Sequence, residues 1–163
     1  MSGQDVRVGF GLDIHPWGED RPLMLGGVEF EDEPALSGHS DGDVVCHAVA
    51  DAVLGSVGLG DLGDHFPDSD PRFAGMDGAD LLARVVAMAA DGGSTVTHCD
   101  VTVLAERPAI APRRDQMRLT LARVLGLAWE NVSVKATRPE GLGLTGDGVG
   151  CMAVVTTVRP ASG

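Results

Sequence analysis

The spacing of apolar and polar residues changes several times along the chain, and each regime predicts an element. "VRVGFGLDIH", residues 6–15, reads as a first strand, on which Asp13 and His15 at i and i+2 project from one face. "PLMLGGVEF", residues 22–30, reads as a second strand, turned at Gly26-Gly27. In "SDGDVVCHAVADAVLGSVG", residues 40–58, apolar residues take up helical spacing behind Ser40 or Asp41 as the cap. "ADLLARVVAMAAD", residues 79–91, predicts a second helix, stopped by Gly92-Gly93. Between them, "GLGDLGDHFPDSDPRFAGMDG" is too polar and too broken for regular structure, and stretches of that length are usually functional or disordered. Further on, "THCDVTVLAE" alternates like a strand, "RRDQMRLTLARVLG" has a helical period, and "NVSVKAT" and "VGCMAVVTTV" read as strands. The order β-β-α-α-β-α-β-β predicts a single α+β domain over residues 1–163. It is expected to be an α/β sandwich with a mixed four-stranded sheet covered by helices on one face.

Composition sharpens this picture in three places. With no Tyr, two Trp and four Phe, the core must rest on Val, Leu, Ala, Ile and Met. Cys46, Cys99 and Cys151 are odd in number and set among apolar residues, so they read as reduced core thiols rather than a disulfide frame. The N-terminus has no apolar signal stretch and no run approaches a membrane span, so a cytoplasmic protein with no membrane partner is expected.

A formal net charge of −12 argues against sequence-independent nucleic-acid binding. The first 91 residues hold 18 of the 24 acidic side chains and 4 of the 12 basic ones. That asymmetry suits an acidic part that binds metal cations and a second part, holding the single lysine Lys135, that meets an anionic ligand.

The histidines carry the candidate chemistry. Asp43, His47 and Asp51 lie four apart on one helical face, so His47 has a carboxylate one turn up and one turn down. A carboxylate that accepts from one ring N–H leaves the other ring nitrogen free for a metal. A strand supplying Asp13 and His15 and a helix supplying His47 would form an Asp-His-His set with an open coordination position. Such a set suits a Lewis-acidic Zn²⁺ rather than a closed structural site. Spacing alone leaves open whether strand and helix meet. His39, in a Gly-His-Ser turn ahead of a helix, is placed to contact an anion. His65 reads as loop polarity and His98 as strand surface.

Six blocks carry a family resemblance, in order over nearly the whole chain. They are "GFGLDIHPWG", "LSGHSDGDVVCHAVADAVLGSVGLGDLGDHFPDSDP", "DVTVLAERP", "QM", "NVSVKATRPEGLGLTG" and "GVGCMAVV". The chain resembles the 2-C-methyl-D-erythritol 2,4-cyclodiphosphate synthase family of the non-mevalonate isoprenoid pathway. The resemblance implies a metal-dependent lyase that closes 4-diphosphocytidyl-2-C-methyl-D-erythritol 2-phosphate into the 2,4-cyclodiphosphate and expels CMP. It implies a homotrimer with its sheets facing the threefold axis and its active sites between subunits.

Residue by residue, it makes Asp13, His15 and His47 the zinc ligands, with Ile14 beside them, and puts His39 and Ser40 in a turn that closes over the phosphates. Asp61, Leu62 and Gly63, with Phe66, Pro67, Asp68, Ser69 and Asp70, would meet the methylerythritol and ribose hydroxyls across the interface. Ala105, Glu106, Arg107, Pro108, Ala109, Ile110 and Ala111 would form the cytosine pocket, largely with backbone groups. Thr137, Arg138, Pro139 and Glu140 would contact the diphosphate, Glu140 also ligating a second divalent ion, Mg²⁺ or Mn²⁺.

The chain departs from the family pattern at four of these positions. Ala109 replaces a common Lys, which removes a charge contact to the nucleotide. Arg138 replaces a Thr credited with stabilising the transition state, where a guanidinium can hold phosphate oxygens with a different reach. Leu144 and Asp147 replace a Phe and an Arg near the axis, where the Arg grips an isoprenoid diphosphate; three copies of Asp147 would repel one.

Overall fold

The computed structural model of the chain describes residues 3–38 and 40–161, so His39 lies outside the described residues. A long strand β1 (Gln4–Leu25) turns at Gly26-Gly27 into β2 (Val28–Leu36). Helices α1 (Val44–Val57), α2 (Leu62–His65) and α3 (Gly78–Asp91) follow, then β3 (Thr95–Leu104), α4 (Arg114–Leu125), β4 (Val132–Thr137) and β5 (Gly148–Pro160). The sheet order is β2-β1-β5-β3-β4, with β3 and β4 parallel and the other neighbours antiparallel.

The sheet is mixed, as expected, but it has five strands rather than four. The second strand expected over 22–30 is divided by its Gly26-Gly27 turn: residues 22–25 end β1, and β2 folds back to pair with that distal part from Trp17↔Leu36 to Leu25↔Val28. The break anticipated between residues 15 and 22 does not end β1. Register shifts around Pro22 absorb the missing N–H, as edge irregularities do.

The polar stretch at 58–78 also holds more regular structure than its composition suggested. Asp61 and Asp64 form a reciprocal capping box around the single-turn α2, and Asp70 caps a 3₁₀ turn at Pro71–Phe73.

The cap of α1 is Asp43, not Ser40 or Asp41. Its fully buried carboxylate accepts from the N–H groups of Val45 and Cys46 at 3.0 Å, and from Gly26 and Gly27 at 2.8 and 2.7 Å. One side chain thus satisfies the helix start and pins the hairpin tip to it. Asp41 accepts from Asp43 N and from Gly78 N, which fastens the start of α3 to the same corner. Burial, with the nearby Asp43 charge, raises the Asp41 pKa.

The helices cover one face of the sheet, as predicted. Val44, Val45, Val49, Val53 and Leu54 of α1 pack with Val101, Val103, Cys151 and Val155 in one core. All three cysteines are free and buried, and burial pushes the Cys99 thiol up to about 12. The other face of β1 and β5 is apolar and open: Val6, Val8, Phe10, Leu12, Ile14, Met152 and Val154 are 39–66% exposed. No helix among the described residues is long and apolar enough to cross a membrane.

Candidate metal centre and active site

The two-residue period of β1 puts Val6, Val8, Phe10, Leu12 and Ile14 on the open face and Gly9, Gly11, Asp13 and His15 on the helix-covered face. The two glycines let α1 lie directly on the strand, so His47 arrives beside the next two residues of the row. His47 Nδ1 is 3.1 Å from Asp13 Oδ2 and 3.3 Å from His15 Nε2, which is itself 2.7 Å from Asp13 Oδ2. Strand and helix therefore meet, and the three side chains converge on one point.

The outer atoms of both rings show what that point is built for. The Ser37 carbonyl, 2.7 Å from His15 Nδ1, can only accept, so Nδ1 carries the proton and Nε2 of the neutral ring presents a lone pair. Ser40 Oγ lies 2.8 Å from His47 Nε2, and with this hydroxyl accepting from the ring, Nδ1 is left bare toward the same point. Two bare nitrogens and a carboxylate oxygen aimed together repel unless a cation lies among them.

The hydrogen bond to Asp13 raises the His15 pKa against the opposing effect of burial. Burial pushes the Asp13 carboxyl up, but hydrogen bonds from both histidines outweigh it and hold the group well below the usual carboxylate range. The set fits a divalent cation with room for a further ligand.

The carboxylates one turn either side of His47 do not hold its ring. Asp43 is occupied with four N–H groups, and Asp51 accepts from Leu62 N at 2.8 Å, which ties α2 to α1. Ser40 takes the role expected of them. Ser40→Ala should therefore weaken metal binding about 10- to 100-fold while leaving the fold intact, measured by competition with a chromogenic chelator.

The triad opens into a cavity of about 580 Å³ that Ser40, Leu62, Gly63, Phe66, Pro67 and Asp68 also line. All of these were predicted site residues, and they share the cavity with the triad of their own chain. Phe73, whose ring meets Phe66 edge-on at 5.1 Å, and Leu81 complete an apolar wall that nothing in their local sequence marked. Asp51 lines the same cavity, and burial raises its pKa. Asp61, Ser69 and Asp70 lie outside this lining, Asp61 and Asp70 acting as caps. Ile14 projects from the opposite face of β1, 46% exposed, while its N–H donates to Asp13 Oδ1. His65, read as loop polarity, instead ends α2 and donates to the Leu59 carbonyl, whereas His98 is exposed on β3, as expected.

The predicted nucleotide and diphosphate residues form a second group. Ala105 N donates to the Thr137 carbonyl, and Gly141 N donates to Glu106 Oε1, which joins the 105–111 loop to the end of β4. Glu140 holds a left-handed backbone at φ 56°, a conformation a glutamate adopts at a cost. Arg138 is exposed at the end of β4.

None of residues 105–111 or 137–140 lines the triad cavity. The row Ile14, Gly150, Leu104, Thr137 crosses three strand spacings, about 14 Å, between the two groups. Leu144 borders a separate apolar hollow of about 170 Å³ with Leu12, Ile14 and Met152. The Asp147 carbonyl accepts from Trp17 N. Lys135, read as a candidate anion contact, is instead paired with both oxygens of Asp100 at 2.7 and 2.6 Å.

The chain is 51% identical over 152 residues to the 2-C-methyl-D-erythritol 2,4-cyclodiphosphate synthase of Idiomarina loihiensis, covering 92% of this chain and 96% of that protein. It is 51% identical over 158 residues to the bifunctional enzyme IspD/IspF of Anaeromyxobacter dehalogenans, covering 96% of this chain but 41% of that longer protein. A solved CDP-bound 2C-methyl-D-erythritol-2,4-cyclodiphosphate synthase superposes with a TM-score of 0.84 at 33% identity, covering 91% of this chain and 98% of that one. Residues 6–158, which include both groups of predicted site residues, match the YgbB family model, and the chain belongs to that family, the 2-C-methyl-D-erythritol 2,4-cyclodiphosphate synthases.

Proposed function

We propose that the chain converts 4-diphosphocytidyl-2-C-methyl-D-erythritol 2-phosphate to 2-C-methyl-D-erythritol 2,4-cyclodiphosphate and CMP. The convergence of Asp13, His15 and His47 at the mouth of a cavity is the observation that carries the reading. The substrate's 2-phosphate oxygen forms a bond to the β-phosphorus. The bond from that phosphorus to the α-phosphate oxygen breaks, and its electron pair leaves with CMP. The nucleophile is already an anion, so no side chain need remove a proton from it.

The protein's part is to bend the substrate and place attacking and leaving oxygens in line. Phe66, Phe73 and Leu81 shield one wall of the cavity from water, which favours ring closure over hydrolysis. Arg138, exposed beside Thr137 and Glu140, is free to hold phosphate oxygens, a role the family resemblance also gives to His39 and Ser40. Zn²⁺ on Asp13, His15 and His47, and Mg²⁺ or Mn²⁺ on Glu140, would supply Lewis acidity and neutralise phosphate charge.

The working unit is a homotrimer in this reading. One chain keeps its metal group and its nucleotide group about 14 Å apart on the sheet, so a neighbour's nucleotide loop completes the site. The open apolar face of β1 and β5 supplies the surface to bury between copies. Light scattering behind a sizing column should give three times the chain mass of 16.8 kDa. Incubation with the cytidine diphosphate substrate should yield CMP and a cyclic product by phosphorus NMR. A linear diphosphate would instead make the protein a hydrolase.

A further inference from the structure

Arg107 belongs to the 105–111 loop, yet its guanidinium reaches back across the domain. Nη1 donates to Glu33 Oε2 on β2, and the guanidinium carbon lies 4.5 Å from the Trp17 ring centroid. Trp17 is on β1, two residues beyond His15, and its own N–H is held by the Asp147 carbonyl at 3.0 Å. The Glu33 side chain is only 18% accessible, so the acceptor is fixed against the body of the protein. A planar guanidinium suits this place because it pairs with a carboxylate while stacking on an indole.

The neighbouring residues of the loop have different anchors. Ala105 is tied to Thr137, Glu106 to Gly141, and Ile110 is buried in the core. Arg107 alone of these links the loop to the strand that bears Asp13 and His15. We propose that Arg107 is a positioning residue, clasped between Trp17 and Glu33, that sets the nucleotide-binding loop relative to the metal-bearing strand. The inference rests on reading 105–111 as the cytidine loop. A loop already fixed loses less freedom when nucleotide binds, so the clasp acts on affinity rather than on the reacting atoms.

The test uses the full chain with zinc bound and CDP as the probe, read by calorimetry, with metal content and melting temperature measured alongside. Glu33→Gln should weaken CDP binding about fivefold at unchanged zinc content and unchanged turnover at saturating substrate, and Arg107→Ala should weaken CDP binding at least as much at unchanged zinc content. The double variant should be no weaker than Arg107→Ala alone, since both remove one clasp. Trp17→Phe, which keeps an aromatic face, should retain most of the affinity that Trp17→Leu loses. Glu33→Gln preserves shape, so its result stands apart from any folding defect in the others. Single variants that bind CDP like the parent, or effects that add in the double variant, would overturn the clasp. A parent that binds no CDP would overturn the nucleotide reading itself, and the clasp with it.

Discussion

Replacing His47 with Ala is expected to abolish stoichiometric zinc binding and to lower CMP release about a thousandfold. His47 is the one member of the triad that β1 does not supply, and it is buried against the strand. Its removal leaves Asp13 and His15, two ligands where a catalytic zinc normally has three from protein. Ala is the best helix former, and the Asp43 cap is untouched, so α1 should persist and circular dichroism should match the parent. His98→Ala makes the control, because that imidazole is exposed on β3 away from the cavity and its loss should change neither readout. Elemental analysis and a CMP-release assay decide the matter. Full zinc occupancy with CMP still released from His47→Ala would remove the triad from the mechanism.

Much of this was legible in the sequence, and the pattern of hits and misses is physical. Asp13 and His15 on one strand face follow from the two-residue period. The helix bearing His47 follows from apolar spacing ahead of Gly58, which ends it in a left-handed turn. What periodicity could not supply was the identity of long-range partners. Asp43 looked like a companion of His47 because both lie on one helical row. It instead serves the hairpin tip seventeen residues earlier, and Ser40 takes the ring. The extent of β1 was misjudged for a related reason. "PWGEDR" reads locally as a break, yet pairing with β2 and β5 carries β1 through it. The short α2 depends on a two-carboxylate capping box that a count of polar residues hides. Arg107 shows the same limit, since a partner 74 residues away leaves no local signature.

Gly11→Ala should cost several kcal/mol of stability and, in the same step, weaken the metal site. A Cβ built at Gly11 would lie 1.9 Å from the Ala48 carbonyl oxygen and 2.8 Å from Ala52 N. Both are backbone atoms of α1, so no side chain can swing aside, and the helix must lift from β1 by more than an ångström. Gly9, whose Cβ would meet the Ala52 carbonyl oxygen at 1.7 Å, shows that the close approach runs along the helix. Lifting α1 opens gaps beneath Val44, Val45, Val49 and Val53, all fully buried, in a core that tolerates little free volume. A loss of about 3 kcal/mol would lower the melting temperature by roughly 10 °C in a domain of this size. The same movement carries His47, next to Ala48, away from its 3.1 Å contact with Asp13, so zinc affinity should fall together with stability. Gly55→Ala separates this from a general effect of glycine loss. Its Cβ would meet only the Phe10 carbonyl oxygen at 3.9 Å, and alanine favours the helix by up to about 1 kcal/mol. That variant should melt at or above the parent with its metal retained. If Gly11→Ala melts within two or three degrees of the parent and keeps its zinc, α1 is not seated by the glycines, and the triad owes its convergence to something other than that contact.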